Sequence, residues 1–342
     1  MCSELWTKAI SISSVIGLVL STLLNLILLW FLSRTQRKKF GYYKYFMMWF
    51  SATGIFYSLT NFISRPNVHI TNSSFYVFTA LVFGTSKSMG TIAVTIYCSC
   101  YATMLSLLAI QFYYRYTSVT SPRRLTMFSW GCNTLRWAMV VLVYTGIWAI
   151  VCLVLCGPTP LKDKEIDEEI LKVYCMTNDE YAYVGAQYFY TDPVTLEEHW
   201  HLPSLIGMGT FFFIMLATLV LIVFFAIRIY QTLTEEGLPG FCSKELQKQF
   251  FQTLVIQTAI PFFFMYVPVT CLFLFPITGW VMHGMQNWIP VLVAIYPGLQ
   301  PLVALICLRE FRTSIYNTLT CRRRRRKVAG MALTDVSTES RN

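Results

Sequence analysis

Seven long apolar stretches, none of which contains Asp, Glu, Lys, Arg or His, dominate this 342-residue sequence. A helix needs about 20 apolar residues to cross a bilayer core of about 30 Å. Charged residues make up only 13% of the chain, against about a quarter in soluble domains. The sequence therefore predicts an all-α membrane protein, a seven-transmembrane helix bundle over residues 1–308 with spans at residues 10–32, 45–63, 89–113, 137–156, 202–227, 250–275 and 288–308.

The charge of the loops predicts the orientation of these spans. When successive loops are assigned to opposite sides, one side holds 21 of the 27 Lys and Arg and a net charge of +15, and the other a net charge of −5. Cytoplasmic loops collect Lys and Arg, so we expect the basic side to face the cytoplasm and the amino terminus to lie outside. The sequon at Asn72 falls in the first external loop, where glycosylation and a chance triplet are both open.

The segments outside the spans differ in composition. Residues 157–201 form a long, acidic external loop with an aromatic cluster, for which a packed lid and a solvated loop are both open. Residues 309–320 predict a short amphipathic helix in the inner interface, followed by a basic, disordered tail at residues 321–342. Within that tail, Cys321 precedes five arginines, which is typical of palmitoylation or of a plain stop-transfer flank.

Cysteine placement suggests one disulfide. Of the 11 cysteines, only Cys2, Cys156 and Cys175 fall on the external, oxidising side. We expect a bridge between Cys156 and Cys175, although the sequence alone leaves the pairing open.

The predicted spans lack the ionisable residues that membrane enzymes and ion-coupled transporters require. Membrane enzymes and ion-coupled transporters use ionisable side chains there, and this chain has none. Walker-type and H-E-x-x-H motifs are also missing, and the last span has no Lys for a retinal Schiff base. We therefore predict no enzyme activity, no cofactor, no metal site and no nucleic-acid partner.

Motifs along nearly the whole chain carry a family resemblance. In collinear order they are Leu5-Trp6, Asn25, Gly41-Tyr42-Tyr43-Lys44-Tyr45, Phe56-Tyr57, Arg65-Pro66, His69, Phe75, Tyr97-Cys98, Phe112-Tyr113-Tyr114-Arg115-Tyr116, Lys248-Gln249, Gln257, Pro261, Tyr296-Pro297-Gly298-Leu299-Gln300-Pro301, Arg309 and Phe311-Arg312. The set resembles the nematode Str-type serpentine chemoreceptors. The resemblance implies a G-protein-coupled receptor for odorants or other chemical cues in the ciliary membrane of sensory neurons.

The resemblance also implies which residues switch the receptor or meet the G protein. Arg115 takes the place of the Arg in the acid-Arg-aromatic triplet of rhodopsin-like receptors. The other positions implied in this way are Tyr116, Lys248, Tyr296, Pro297, Gln300 and Arg309. Two residues depart from the family pattern, because Gln111 stands where members often have His and Gln300 where Asp usually precedes the last Pro.

The apolar spans predict a small, uncharged ligand. An unpaired ion loses several kcal/mol on desolvation, and no span offers it a partner. The positions of the candidate residues along their spans predict a pocket in the outer half of the bundle. The predicted pocket residues are Thr95, Cys98, Tyr101, Phe212, Met265 and Tyr266. Each of these residues has helix packing as its alternative role, because helices that are apolar all round give no sign of which face meets a cavity.

A second function class is a seven-span ligand-gated cation channel or channel subunit. Odorant-gated channels with seven spans place the amino terminus inside, which the net charge of +15 on the opposite side disfavours. The leading hypothesis is therefore a chemosensory receptor whose partners are a neutral odorant-like molecule, a heterotrimeric G protein and the lipid bilayer. The sequence makes no prediction about dimers.

Overall fold

The computed structural model describes residues 4–34, 41–81, 85–129, 131–191, 197–234, 244–278, 285–308, 311–313 and 316. Its helices are α1 (Glu4–Arg34), α2 (Tyr43–Ser64), α3 (Lys87–Thr120), α4 (Cys132–Val154), α5 (Pro160–Tyr174), α6 (Leu202–Thr234), α7 (Lys244–Pro261), α8 (Val267–Thr278) and α9 (Met285–Cys307). A π-helical turn, Phe262–Tyr266, joins α7 to α8, and these three pieces make one span. Short 3₁₀ helices occupy Pro122–Phe128 and Asn178–Glu180.

Six of the spans are apolar enough to cross a membrane by length and composition, and α2 is the seventh member of the bundle. The 22-residue helix α2 has a lower hydropathy because it carries hydroxyl and amide side chains, including Ser58, Thr60 and Asn61. These side chains are buried against neighbouring elements. Small residues let α1 approach α9 closely. A Cβ added to Gly17 would collide with the carbonyl of Ala294, as expected for helix contacts in a membrane.

A small sheet covers one end of the bundle. Strands β1 (Asn67–Ile70), β2 (Ser74–Ala80) and β3 (Tyr181–Gln187) pair antiparallel in the order β1-β2-β3. Strands β4 (Phe189–Thr191) and β5 (Glu198–Trp200) follow β3 in the sequence and form a second, antiparallel sheet. We call β1, β2, β3 and α5 together the roof, and the opposite end of the bundle the Arg115 end.

The roof has two apolar faces because side chains alternate along a strand. Phe75 and Val77 of β2 point into the bundle, whereas Tyr76 and Phe78 pack beneath α5 with Ile166. Residues 157–191 therefore form a packed lid, one of the two alternatives that the sequence left open.

Glu165 of α5 ties the helix to the strands. Its carboxylate accepts hydrogen bonds from the hydroxyls of Thr71, Ser73, Ser74 and Tyr76 and from the amide of Gln187. Hydrogen bonds to a charged group are about twice as strong as those between neutral groups. This single side chain therefore holds the β1–β2 turn and the end of β3 in place.

Lys162 is a second anchor of the roof. Its side chain is 0% exposed, and its ammonium donates to the carbonyls of Leu155 (3.3 Å), Gly157 (3.0 Å) and Gly185 (3.1 Å). Burial lowers the pKa of Lys162. The three carbonyls solvate the charge in place of water and join the end of α4 to β3.

The expected bridge between Cys156 and Cys175 is wrong. Cys175 is disulfide-bonded, but Cys156 has a free thiol. Cys156 is buried beneath β3, where its backbone carbonyl accepts from the N–H of Gly185. Cys175 ends α5 and is exposed, whereas Cys156 lies beneath the sheet.

The structure describes some of the other predicted features but not all of them. Asn72 is exposed in the turn between β1 and β2. After α9, residues 311–313 and 316 are helical, and Phe311 is buried while Arg312 is exposed. The rest of the helix predicted at 309–320, together with Cys321 and the tail, lies outside the described residues.

We predict that Lys162→Met destabilises the protein by about 3 kcal/mol, because buried acceptors without a donor cost about 1–3 kcal/mol each. The apparent melting temperature of the purified protein should fall by about 5 °C or more. Lys164→Met is the matched control, since Lys164 is exposed two residues along the same helix. If the two variants melt together, Lys162 is not an anchor.

Candidate functional site

A cavity of about 100 Å³ lies between the bundle and the roof. Its ceiling comes from the roof strands and the residue before them, and its walls from six of the seven spans. The ceiling residues are Pro66, Val68, Phe75, Val77, Val184 and Gly185, and the wall residues are Tyr57, Tyr97, Cys98, Tyr101, Trp148, Cys152, Cys156, Phe211, Val269, Leu272, Phe273, Ile289, Pro290 and Val293.

Gly185 allows the ceiling to form. A Cβ at this position would collide with the carbonyl of Phe75 and the ring of Tyr76 on the paired strand β2. The absence of a side chain therefore lets β3 lie close against β2 in the ceiling.

Aromatic rings make up much of the cavity wall. Trp148 of α4 stacks on Phe211 of α6 with ring centroids 4.2 Å apart and contacts Tyr101 of α3 at 5.4 Å. Phe273 of α8 lies 5.5 Å from Phe75 of the ceiling. The cavity is therefore lined in large part by aromatic rings that come from distant segments of the sequence.

The structure places only some of the predicted ligand residues on this cavity. Cys98 and Tyr101 line it. Thr95 is buried and donates to the carbonyl of Thr91, while Met265 and Tyr266 are buried but are not among the lining residues.

Phe212 lies outside the cavity. Its side chain is 39% exposed on the outer surface of α6, and the preceding residue, Phe211, is the one that lines the cavity. We therefore correct the prediction from Phe212 to Phe211.

Of two buried tyrosine hydroxyls in this region, only that of Tyr101 belongs to a residue that lines the cavity. Those of Tyr101 and Tyr266 are buried and have no hydrogen-bond partner within the described part of the chain. A buried donor without an acceptor costs about 1–3 kcal/mol, which a ligand oxygen that accepts from it would recover. Among the lining residues that the structure describes, none is an Asp, Glu, Lys, Arg or His.

At the Arg115 end, the predicted switch residue is held in a cation–π contact. Arg115 is 4% exposed, and its guanidinium carbon lies 3.5 Å from the ring centroid of Tyr43 on α2. Tyr43 also stacks on Tyr114, at 5.7 Å. Tyr116 packs on Phe225 of α6, so the Tyr-Arg-Tyr triplet ties α3 to α2 and α6.

The other residues predicted for the switch differ in where they lie and in how exposed they are. Tyr296, Pro297 and Gln300 are buried together in α9. Lys248 is exposed on α7. Arg309 lies outside the described residues.

Proline leaves backbone carbonyls unpaired in these spans, and side-chain amides from neighbouring helices satisfy them. Pro261 has no N–H for the carbonyl of Gln257, four residues earlier. The Gln300 amide donates to that carbonyl at 2.7 Å. In the same way, Pro301 frees the carbonyl of Pro297, which accepts from Asn25 at 3.2 Å.

This arrangement gives a physical reason for the residue at position 300. Donation to a carbonyl requires an N–H or O–H, which an ionised Asp at that position does not have. The amide of Gln300 also donates to the hydroxyl of Tyr296 at 3.3 Å. The Gln300 amide is thus matched to the unpaired carbonyl at Gln257.

Comparison with known proteins gives consistent matches over almost the whole chain. Residues 10–316 match the family described as serpentine type seven-transmembrane G-protein-coupled chemoreceptor Str. The chain is 31% identical to serpentine receptor class r-10 of Caenorhabditis elegans over 321 residues, which cover 93% of each chain. It is 29% identical to the receptor of the same name from Caenorhabditis briggsae, over 95% of this chain and 94% of that one. It is also 24% identical to the C. elegans G-protein coupled receptor str-33, over 85% of each chain.

We predict that Gln300→Leu costs about 2 kcal/mol of stability, because it leaves the Gln257 carbonyl without a donor. Pro261→Ala restores the backbone N–H that this carbonyl lacks. In the Pro261→Ala background, the penalty of Gln300→Leu should therefore fall by at least about half. Melting temperatures of the four proteins in one detergent measure this coupling, and equal penalties in both backgrounds would contradict it.

Proposed function

The chain belongs to the Str family of serpentine seven-transmembrane chemoreceptors, and we propose that it binds a small uncharged molecule in the roofed cavity and signals to a heterotrimeric G protein. The observation that carries the proposal is the apolar, aromatic-rich cavity beneath the roof, whose described lining residues include no Asp, Glu, Lys, Arg or His. The amino terminus and the roof lie outside the cell in this proposal, which the charge of the loops supports.

The size of the cavity limits the ligand. An engineered apolar cavity of about 150 Å³ in another protein holds benzene, which has six heavy atoms. A cavity of about 100 Å³ therefore favours compounds of roughly four to six heavy atoms. Molecules of that size and polarity are volatile, which supports an olfactory role.

The polarity of the ligand follows from the buried hydroxyls. Tyr101 lines the cavity and its hydroxyl has no partner among the described residues. A carbonyl or ether oxygen would accept this hydrogen bond, for a net gain of about 1 kcal/mol. Ketones, aldehydes and esters are therefore preferred over alkanes of the same shape.

Signalling requires a change at the Arg115 end. In the structure, the cation–π contact with Tyr43 keeps Arg115 buried. Release of that contact would present a guanidinium to backbone carbonyls of a G-protein helix, by charge-assisted hydrogen bonds. The amide-capped prolines of α7 and α9 lie between the two ends and supply the hinge for this change.

We predict that the best agonists in a panel of small ketones, esters, alcohols, amines and carboxylates will be neutral hydrogen-bond acceptors. Against the best agonist, Tyr101→Phe should lower potency about fivefold to tenfold through loss of one hydrogen bond. Phe211→Ala should lower it further, while Phe212→Ala should have little effect. Calcium imaging of cells that express the receptor with a G protein measures all three variants.

The same cells test the channel alternative. Staining of an amino-terminal tag without permeabilisation reports the orientation, and agonist currents in excised patches without nucleotide would favour a channel. A permanently charged best agonist, or equal effects of the two Phe substitutions, would contradict the proposed site.

A further inference from the structure

An apolar groove runs between α1 and α9 on the lipid-facing surface at the Arg115 end. Its volume is about 870 Å³, and Leu23, Leu26, Leu302 and Ile306 are among the side chains that line it. Leu23, Leu26 and Ile306 are each more than half exposed, so the bundle itself leaves the groove uncovered. In a membrane, lipid acyl chains are the apolar molecules that meet such a surface.

The mouth of the groove carries two guanidinium groups. Arg312 lines it directly. Arg34 lies over the ring of Trp30, another lining residue, with its guanidinium carbon 4.2 Å from the ring centroid. Both arginines are exposed, and neither has a carboxylate partner within the part of the chain that the structure describes.

Aromatic residues mark the depth of this mouth. Trp30 and Tyr316 both line the groove, and Trp and Tyr concentrate at the boundary between the hydrocarbon and the headgroups. An arginine at that depth reaches the phosphates while its stem stays on apolar surface. The groove thus presents apolar, aromatic and cationic groups in the order that a phospholipid presents its chain, glycerol and phosphate.

We propose that this groove binds an anionic membrane phospholipid, with an acyl chain along α1 and α9 and the headgroup phosphate held by Arg34 and Arg312. A net negative headgroup is required because the choline of phosphatidylcholine cancels the charge of its own phosphate. The groove lies at the opposite end of the bundle from the roofed cavity, so this site is independent of the proposed ligand site.

Native mass spectrometry of the full chain tests the site, with phosphatidylserine and phosphatidylcholine supplied at equal concentration. We expect the wild-type protein to retain phosphatidylserine selectively. Arg34→Gln and Arg312→Gln should each weaken phosphatidylserine binding about fivefold, and the double variant should weaken it more than tenfold. Arg123→Gln with Arg124→Gln is the matched control, because these arginines are exposed at the same end but away from the groove.

Two further measurements test the acyl-chain contact and the headgroup contact separately. Leu302→Trp fills the groove and should reduce phosphatidylserine binding with both arginines present. Soluble glycerophosphoserine, which has the headgroup without chains, should not compete. Equal loss in the control pair would show general surface attraction, and a wild-type protein without selectivity would also overturn the proposal. Each variant's melting temperature in phosphatidylcholine alone confirms that it is folded.

Discussion

The pairing of β2 with β3 is the interaction on which the rest of the structure depends. It joins two segments about 100 residues apart, with Tyr76 opposite Gly185. Because side chains alternate along each strand, the same sheet supplies a ceiling to the bundle and a floor to α5. Without this pairing, the cavity among the spans would open to one side, and α5 would have nothing to pack on.

The anchors of the roof fix it without a large apolar core. Glu165 collects five donors from the strands and their turn, and Lys162 binds three carbonyls around the end of α4. Both are charged groups that are almost fully paired, so removing either one leaves several buried polar groups unsatisfied.

Much of this architecture could be predicted from the sequence, but the sheet could not. Among the described residues, six of the seven spans are long and apolar enough to be found by length and composition. Strands β2 and β3 are buried on both faces, so they show no alternation of apolar and polar residues and read as part of a loop. For the same reason, α6 gave no sign that Phe211 and not Phe212 meets the cavity. Only the fold shows that Gln300 and Asn25 satisfy the carbonyls left unpaired by Pro261 and Pro301.

The central claim is that the roof covers the cavity in which we propose that the ligand binds, and the native cysteines report on this directly. Cys98, Cys152 and Cys156 line the cavity, whereas Cys132 is exposed at the other end. N-ethylmaleimide labelling of the protein in nanodiscs, resolved site by site by peptide mass spectrometry, compares Glu165→Ala with the exposed control Glu168→Ala. If the roof closes the cavity, the three cavity thiols react about tenfold faster in Glu165→Ala than in Glu168→Ala or wild type, with Cys132 unchanged. If the cavity thiols react at one rate in all three proteins, the roof is not what encloses them.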